Sequence, residues 1–318
     1  MAILEVYDLC KTYRKANRPA LDKLSFQVEE GAIYAFVGPN GAGKTTTIRI
    51  LATLLSFDSG DVRVGGYQVN SQPQDVRRLI GYIPDEFGLY EEMGVAQYLD
   101  FFASCYGIAK DRRRGMVEDL LGLVGLSHRH NDEVRTLSRG LRQRLGLARS
   151  LVHDPALIVA DEPAAGLDPR ARVELREIFQ VLQEMGKTIF LSSHVLRELD
   201  EIATHIGIVE EGKLVTSGTV EDIRARMRPH RCVRIAFVGP YDDAHVWLSR
   251  QPDVLSVEPV AGGNGTLPGL LVAVQGDQTV LVRLLAELVR ADFPVLSYVE
   301  ERETLESMFL NLTQGIVS

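Results

Sequence analysis

The chain has 318 residues, 45% hydrophobic and 25% charged, with a formal net charge of -8. That length exceeds what one hydrophobic core usually serves, so two domains are expected. The acidic balance argues against a general binder of nucleic-acid backbones, which needs an excess of Lys and Arg, and no run of about 18 apolar residues offers a bilayer span.

The three cysteines, Cys10, Cys105 and Cys232, lie far apart without metal-ligand spacing. They fit inert or buried thiols in a reducing cytosolic compartment. The opening MAILEVYDLCKTY has no basic start followed by an apolar core, so no signal peptide is expected.

In chain order, residues 3–9 (ILEVYDL) and 24–31 (LSFQVEEG) alternate as strands and predict a small antiparallel element. AIYAFVGPNGAGKTTTIRILATLL then reads as a buried strand, a Gly-rich loop and a helix, the entry to a parallel α/β sheet. From about 86 to 150 the apolar period turns helical, in VAQYLDFFASCYGI and MVEDLLGLVGL, and predicts a helical insertion. Strand patterns return at ALIVAD (156–161), KTIFLSS (187–193) and IGIVEEGKLV (206–215), around the helix RARVELREIFQVLQEM.

An amphipathic stretch EDIRARMR and the punctuation RPHR predict a boundary near residue 228. The expected division is a domain over 1–220, a linker over 221–228 and a second domain over 229–318. The second domain reads as strand, helix, strand, strand, helix, strand, with ETLESMFLNLT as a closing helix, which predicts a split βαβ, ferredoxin-like α+β sandwich. Trp247, His245, Asp242 and Asp243 are scattered within it and read as packing and solvated surface.

Gly38–Thr45, GPNGAGKT, matches G-x-x-x-x-G-K-[ST] between strand and helix, the context that pattern requires. Gly38, Gly41 and Gly43 let the backbone turn its NH groups to phosphate oxygens at a helix N-terminus. Lys44 is expected to reach the β and γ phosphates and Thr45 to place its hydroxyl on Mg²⁺. At the end of LIVADEP, Asp161 and Glu162 point to opposite sides of an extended chain, so Asp161 can hold Mg²⁺ while Glu162 activates water.

These motifs, with DEPAAGLDP, FLSSHVLREL and LSRGLRQRL, resemble the nucleotide-binding subunit of an ABC transporter over residues 1 to about 220. The resemblance implies an α/β P-loop NTPase fold with a RecA-like core sheet, an antiparallel β element and a helical subdomain, binding ATP and Mg²⁺. It implies that Asn40 and Thr46 join the loop residues around nucleotide, that Tyr13 stacks on adenine, and that His194 is the switch histidine. Ser138 and Gly140 then meet the γ-phosphate of ATP held by an opposite copy, with Asp168 in the D-loop. A half-site of that kind implies a head-to-tail homodimer, on the inner face of the membrane through a separate permease. The tail resembles that of ATPase subunits serving exporters of drugs, lipids or polysaccharides.

The resemblance has departures. Arg139 and Leu141 replace a glycine and a glutamine of the signature, and Asp85, in GYIPDEFG, stands for the glutamine of the Q-loop. Asp85 is expected to remain a Mg²⁺ and transmission residue, since a hard cation suits a carboxylate. The family's helical subdomain offers the permease a groove, yet helical spacing predicts that most of Phe87, Tyr90, Tyr98, Phe101 and Phe102 are core.

The stretch RTLSRGLRQRLGLARS holds five arginines, of which Arg142, Arg144 and Arg149 are expected to find partners on a helix with a buried face. Two other readings compete. A soluble ABC protein of ribosomes or DNA usually carries tandem ATPase domains, absent here, and a P-loop kinase needs neither signature nor switch histidine.

Overall fold

The computed structural model describes residues 1–14, 16–85, 87–193, 199, 201–227, 230–262 and 267–301. The chain separates into two compact units, Met1–Val220 and Glu221–Ser318.

The first unit runs β1 (Ala2–Lys11), β2 (Leu21–Glu29), β3 (Ile33–Val37), α1 (Lys44–Leu51), β4 (Ser59–Val64), β5 (Tyr67–Gln68), α2 (Pro73–Leu79) and β6 (Ile80–Ile83). It continues through α3 (Val95–Cys105), α4 (Lys110–Leu123), α5 (Arg139–Leu151), β7 (Leu157–Ala160), α6 (Pro169–Glu184), β8 (Thr188–Ser193), β9 (His205–Glu210) and β10 (Lys213–Thr219). Two sheets result, in the orders β2-β1-β4-β5 and β10-β9-β3-β8-β7-β6. In the larger one every neighbouring pair from β9 to β6 is parallel, and only β10 returns antiparallel.

All five residues of β3 and all four of β7 are buried, as central strands covered on both faces must be. The antiparallel element is larger than its two alternating segments suggested, because after α1 the strand β4 returns to pair with β1 and β5 pairs with β4. The two sheets meet through aromatic rings. Phe26 of β2 lies 5.7 Å from Tyr34, 5.4 Å from Phe36 and 5.7 Å from Phe190, centroid to centroid. This packing anchors β3, and β3 ends in the Gly-rich loop.

The insertion carries α3, α4 and α5, as its helical period predicts. Its aromatic residues divide between core and surface. Tyr98 alone of the five is fully buried, whereas Tyr90 is 53% and Phe101 39% exposed. They still touch one another, with Tyr90 5.7 Å from Phe101 and Tyr98 4.9 Å from Phe102. Helical spacing shows that residues share a face but not what covers it. Of the three free thiols Cys232 is buried, Cys10 half-buried and Cys105 exposed.

In the second unit α7 (Val220–Met227) is followed by β11 (His230–Phe237), α8 (Asp242–Leu248), β12 (Val254–Val260), β13 (Gly269–Gln275), α9 (Gln278–Arg290) and β14 (Val295–Glu301). The segment 221–228 is therefore helical through Met227. The sheet order β12-β13-β11-β14, with every neighbouring pair antiparallel, is that of a split βαβ sandwich. Its core joins Val233, Ile235 and Phe237 of β11 to Leu270, Val272 and Val274 of β13, beneath Leu281, Leu284 and Leu288 of α9. Trp247 packs against that core and Asp242 and Asp243 stand exposed in the first turn of α8. The segment ETLESMFLNLT lies outside the described residues.

Candidate functional site

The Gly-rich loop spans the gap between β3 and α1. Gly41 and Gly43 take φ of 85° and 105°, left-handed values that residues with a Cβ rarely adopt. Gly38 serves differently: a Cβ there would stand 2.2 Å from the carbonyl oxygen of Val209 on β9. Two glycines thus turn the loop and one lets it pass close to the sheet.

Lys44 opens α1 and is only 6% exposed. Its ammonium donates to the carbonyls of Gly38 at 2.7 Å and Pro39 at 3.2 Å, and lies 3.6 Å from Glu162 Oε1. A buried cation must be hydrogen-bonded and charge-compensated, and the loop and Glu162 do both.

Asp161 follows β7 and is 3% exposed. Its Oδ1 accepts from Ser192 Oγ at 2.8 Å and from Thr45 Oγ1 at 3.3 Å. Burial pushes its carboxyl above the usual range; the bonds from Ser192 and Thr45 oppose that rise, while the charges of Glu162 and Asp85 add to it. Ser192 also accepts from the backbone NH of Glu162 at 3.0 Å, so one buried hydroxyl orients both acidic residues. The motif reading missed Ser192, whose only signal was a polar pair closing an apolar strand. Glu162 itself takes φ of 47°, a strained conformation for a residue with a Cβ and one concentrated at functional positions.

Asn40, Gly41, Gly43, Lys44, Thr45 and Thr46 line one cavity of about 480 Å³ together with Tyr13, Asp85 and Glu162. Ala20 and Ala165 complete it without having been expected. The Tyr13 hydroxyl and Thr46 Oγ1 are 3.2 Å apart, while the ring is 41% exposed. The donor set suits a polyphosphate: backbone NH groups at the start of a helix, one buried ammonium and a hydroxyl.

It also suits Mg²⁺. Among the described residues no three His, Cys, Asp or Glu side chains converge as a metal cage. Magnesium at nucleotide sites needs none, being held by one or two carboxylates together with phosphate oxygens. The buried Asp161 carboxylate, disfavoured without a cation, and the Thr45 hydroxyl match that pattern.

Ser138, Gly140 and Asp168 do not line this cavity. Ser138 caps α5, accepting from Leu141 N at 3.4 Å. The absence of a Cβ on Gly140 leaves room for Ala171 of α6, whose Cβ would stand 2.9 Å away. Asp168 caps α6, accepting from Ala171 N at 2.9 Å, with Pro169 as the first helical residue. The arginines of α5 are partnered as expected. Arg142 donates to the carbonyls of Leu137 and Arg135, Arg144 pairs with Glu174 at 3.3 Å, and Arg149 donates to the Tyr98 hydroxyl at 3.2 Å. His194 lies outside the described residues.

The fold and this cavity define a P-loop nucleotide-binding ATPase. Known proteins narrow the class. The sequence model of the family described as "ABC transporter" matches residues 21–165. The daunorubicin/doxorubicin resistance ATP-binding protein DrrA of Streptomyces peucetius is 33% identical over 317 residues, covering 98% of this chain and 92% of that one. The linearmycin resistance ATP-binding protein LnrL of Bacillus subtilis is 28% identical over 316 residues, covering 98% of each.

Among solved structures, one described as the ATP binding subunit of an ABC transporter superposes with a TM-score of 0.63 and 31% identity, over 70% of this chain and 92% of that one. CbiO1 of Clostridium perfringens, part of an ABC transporter complex, gives 0.64 and 26% over 70% and 91%. The chain belongs to the ATP-binding subunits of ABC transporters. It is a nucleotide-binding ATPase of the transporter type, as the motifs implied, and the kinase and ribosome readings fall.

Proposed function

We propose that two copies of this chain close head to tail on two MgATP and so drive export through a separate membrane permease. The observation that carries the reading is the division of the phosphate chemistry within one chain. The cavity at α1 gathers Lys44, Thr45, Asp85 and Glu162, while Ser138, Gly140 and Asp168 lie outside it. A helix N-terminus capped by a serine can receive a phosphate, and a second copy can supply one.

In the proposed cycle the adenine stacks on the exposed ring of Tyr13, and the loop NH groups with Asn40 and Thr46 hold the phosphate chain. Lys44 exchanges its Glu162 contact for the β and γ phosphates, which frees Glu162 to orient water and take its proton. Thr45, Asp161 and Asp85 would hold Mg²⁺, which would offset the negative charge of the phosphates. His194 donates to the γ-phosphate from beyond β8, and Asp168 and Ser138 meet the nucleotide held by the partner copy.

The exported cargo is a drug-like or antibiotic-like molecule, since DrrA and LnrL are named for resistance to such compounds. Among the described residues no helix is long and apolar enough to cross a membrane, so attachment at its inner face falls to the permease.

Glu162→Gln tests the scheme, because it removes the base and keeps its shape. With saturating MgATP the variant is expected to run as a dimer in size-exclusion chromatography with light scattering, with hydrolysis reduced about 10²-fold or more. A variant that stays monomeric overturns the closure.

A further inference from the structure

Arg139 stands at a position where local chemistry gives it no reason to be. A cation in the first turn of a helix faces the positive end of the helix dipole, and Ser138 already caps that end of α5. Among the described residues Arg139 has one hydrogen-bond partner and no carboxylate partner.

Its guanidinium instead crosses to the turn that follows β7. Nη2 donates to the carbonyl of Ala165 at 3.0 Å. The group also covers Gly166, which takes φ of 68°; a Cβ there would stand 2.6 Å from Cζ and 2.7 and 2.8 Å from the terminal nitrogens. No side chain at residue 166 is compatible with the guanidinium in that place.

The turn it covers is the one that presents Glu162. Ala165 N donates to the carbonyl of Glu162 at 3.0 Å, and both residues line the nucleotide cavity. Glu162 is itself held at a left-handed φ, which persists only when its surroundings over-determine it. Ser192 holds the NH end of that turn, at Glu162 N, and Arg139 holds its far end, at Ala165 O.

We propose that Arg139 is a positioning residue, clamping the Ala165–Gly166 backbone to the start of α5 and so keeping the Glu162 carboxylate in the geometry that water attack requires. This rests on Glu162 as the base. The clamp ties the first turn of α5 to the catalytic turn of the same chain, so that what meets Ser138 is felt at Glu162. A guanidinium suits the task because its flat face lies on a glycine while its edge donates; an ammonium can only donate.

The test combines steady-state ATPase kinetics with amide hydrogen exchange on the full chain. Arg139→Ala is expected to lower kcat about tenfold while KM for ATP stays within about twofold. Arg139→Lys is expected to fall between the two. Gly166→Ala, which displaces the guanidinium and also strains the turn at its left-handed φ, is expected to lower kcat at least as far as Arg139→Ala, and the double variant to lose no more than the worse single one.

In the nucleotide-free protein, exchange over 162–168 is expected to quicken in Arg139→Ala with the melting temperature unchanged. Effects of Arg139→Ala and Gly166→Ala that multiply, or exchange that does not change, overturn the clamp. If exchange quickens but Glu162→Gln hydrolyses ATP at the wild-type rate, the assignment of the base fails and the clamp stands.

Discussion

Two helix N-termini in this chain carry the residues assigned to phosphate, and they are built differently. At α1 the helix begins inside a cavity, with no capping side chain, a left-handed glycine before it and a buried lysine as its first residue. At α5 it begins at the surface, capped by the hydroxyl of Ser138, with its first residue reaching away to another turn. The first leaves its NH groups to a ligand and encloses them; the second satisfies one of them itself and leaves the approach open. The contrast teaches that the same element of secondary structure can be a whole site or half of one, according to what surrounds it.

The largest effect is expected at Lys44. Lys44→Ala removes the one buried ammonium of the cavity and leaves Glu162 without it. Affinity for ATP, by isothermal titration, is expected to fall about 10²-fold. A variant that binds ATP like the wild type would mean that the cavity at α1 is not the complete end.

Ser138→Asp probes the α5 end. Aspartate caps a helix as well as serine, so α5 and the melting temperature should be preserved. It also puts an anion where a partner's γ-phosphate is expected. ATP binding to the monomer is expected to stay unchanged while hydrolysis falls about 10²-fold. Unchanged hydrolysis would make Ser138 a cap and nothing more.

The smallest effect concerns Asp161, whose folded-state carboxyl is held above its ordinary range by burial. A carboxyl raised in this way stabilises the fold while protonated, and that contribution is lost as pH rises through the folded value. Asp161→Asn stays neutral and keeps the oxygen that accepts from Ser192 and Thr45. Without nucleotide it should melt a few degrees above the wild type at pH 7, the gap closing as pH falls toward 4. A gap that widens on acidification would show that the charged carboxylate is favoured, contrary to its burial.

Much of the α1 end was legible in the sequence, and for a physical reason. Phosphate is bound by consecutive backbone NH groups, so the necessary residues lie within Gly38–Thr45 and their spacing is the geometry. The strand end bearing Asp161 and Glu162 was legible in the same way, as two carboxylates after an apolar run. Ser192 was not, because the bond to Asp161 spans 31 positions and a serine closing a strand signals nothing by itself. Which of the aromatics stand exposed, Tyr90 and Phe101, was not legible either, since a helical period reports a shared face and not its cover.

From the sequence alone came the nucleotide loop, the acidic pair and most of the strands and helices, which depend on near neighbours, but not β4, β5, α2 and β6 over residues 59–83. Where the Arg139 side chain reaches is a matter of tertiary structure. Its partner lies 26 positions away in another element. That contact depends on Gly140 letting α5 close on α6 and on the missing side chain of Gly166, which are facts of packing that no local pattern records.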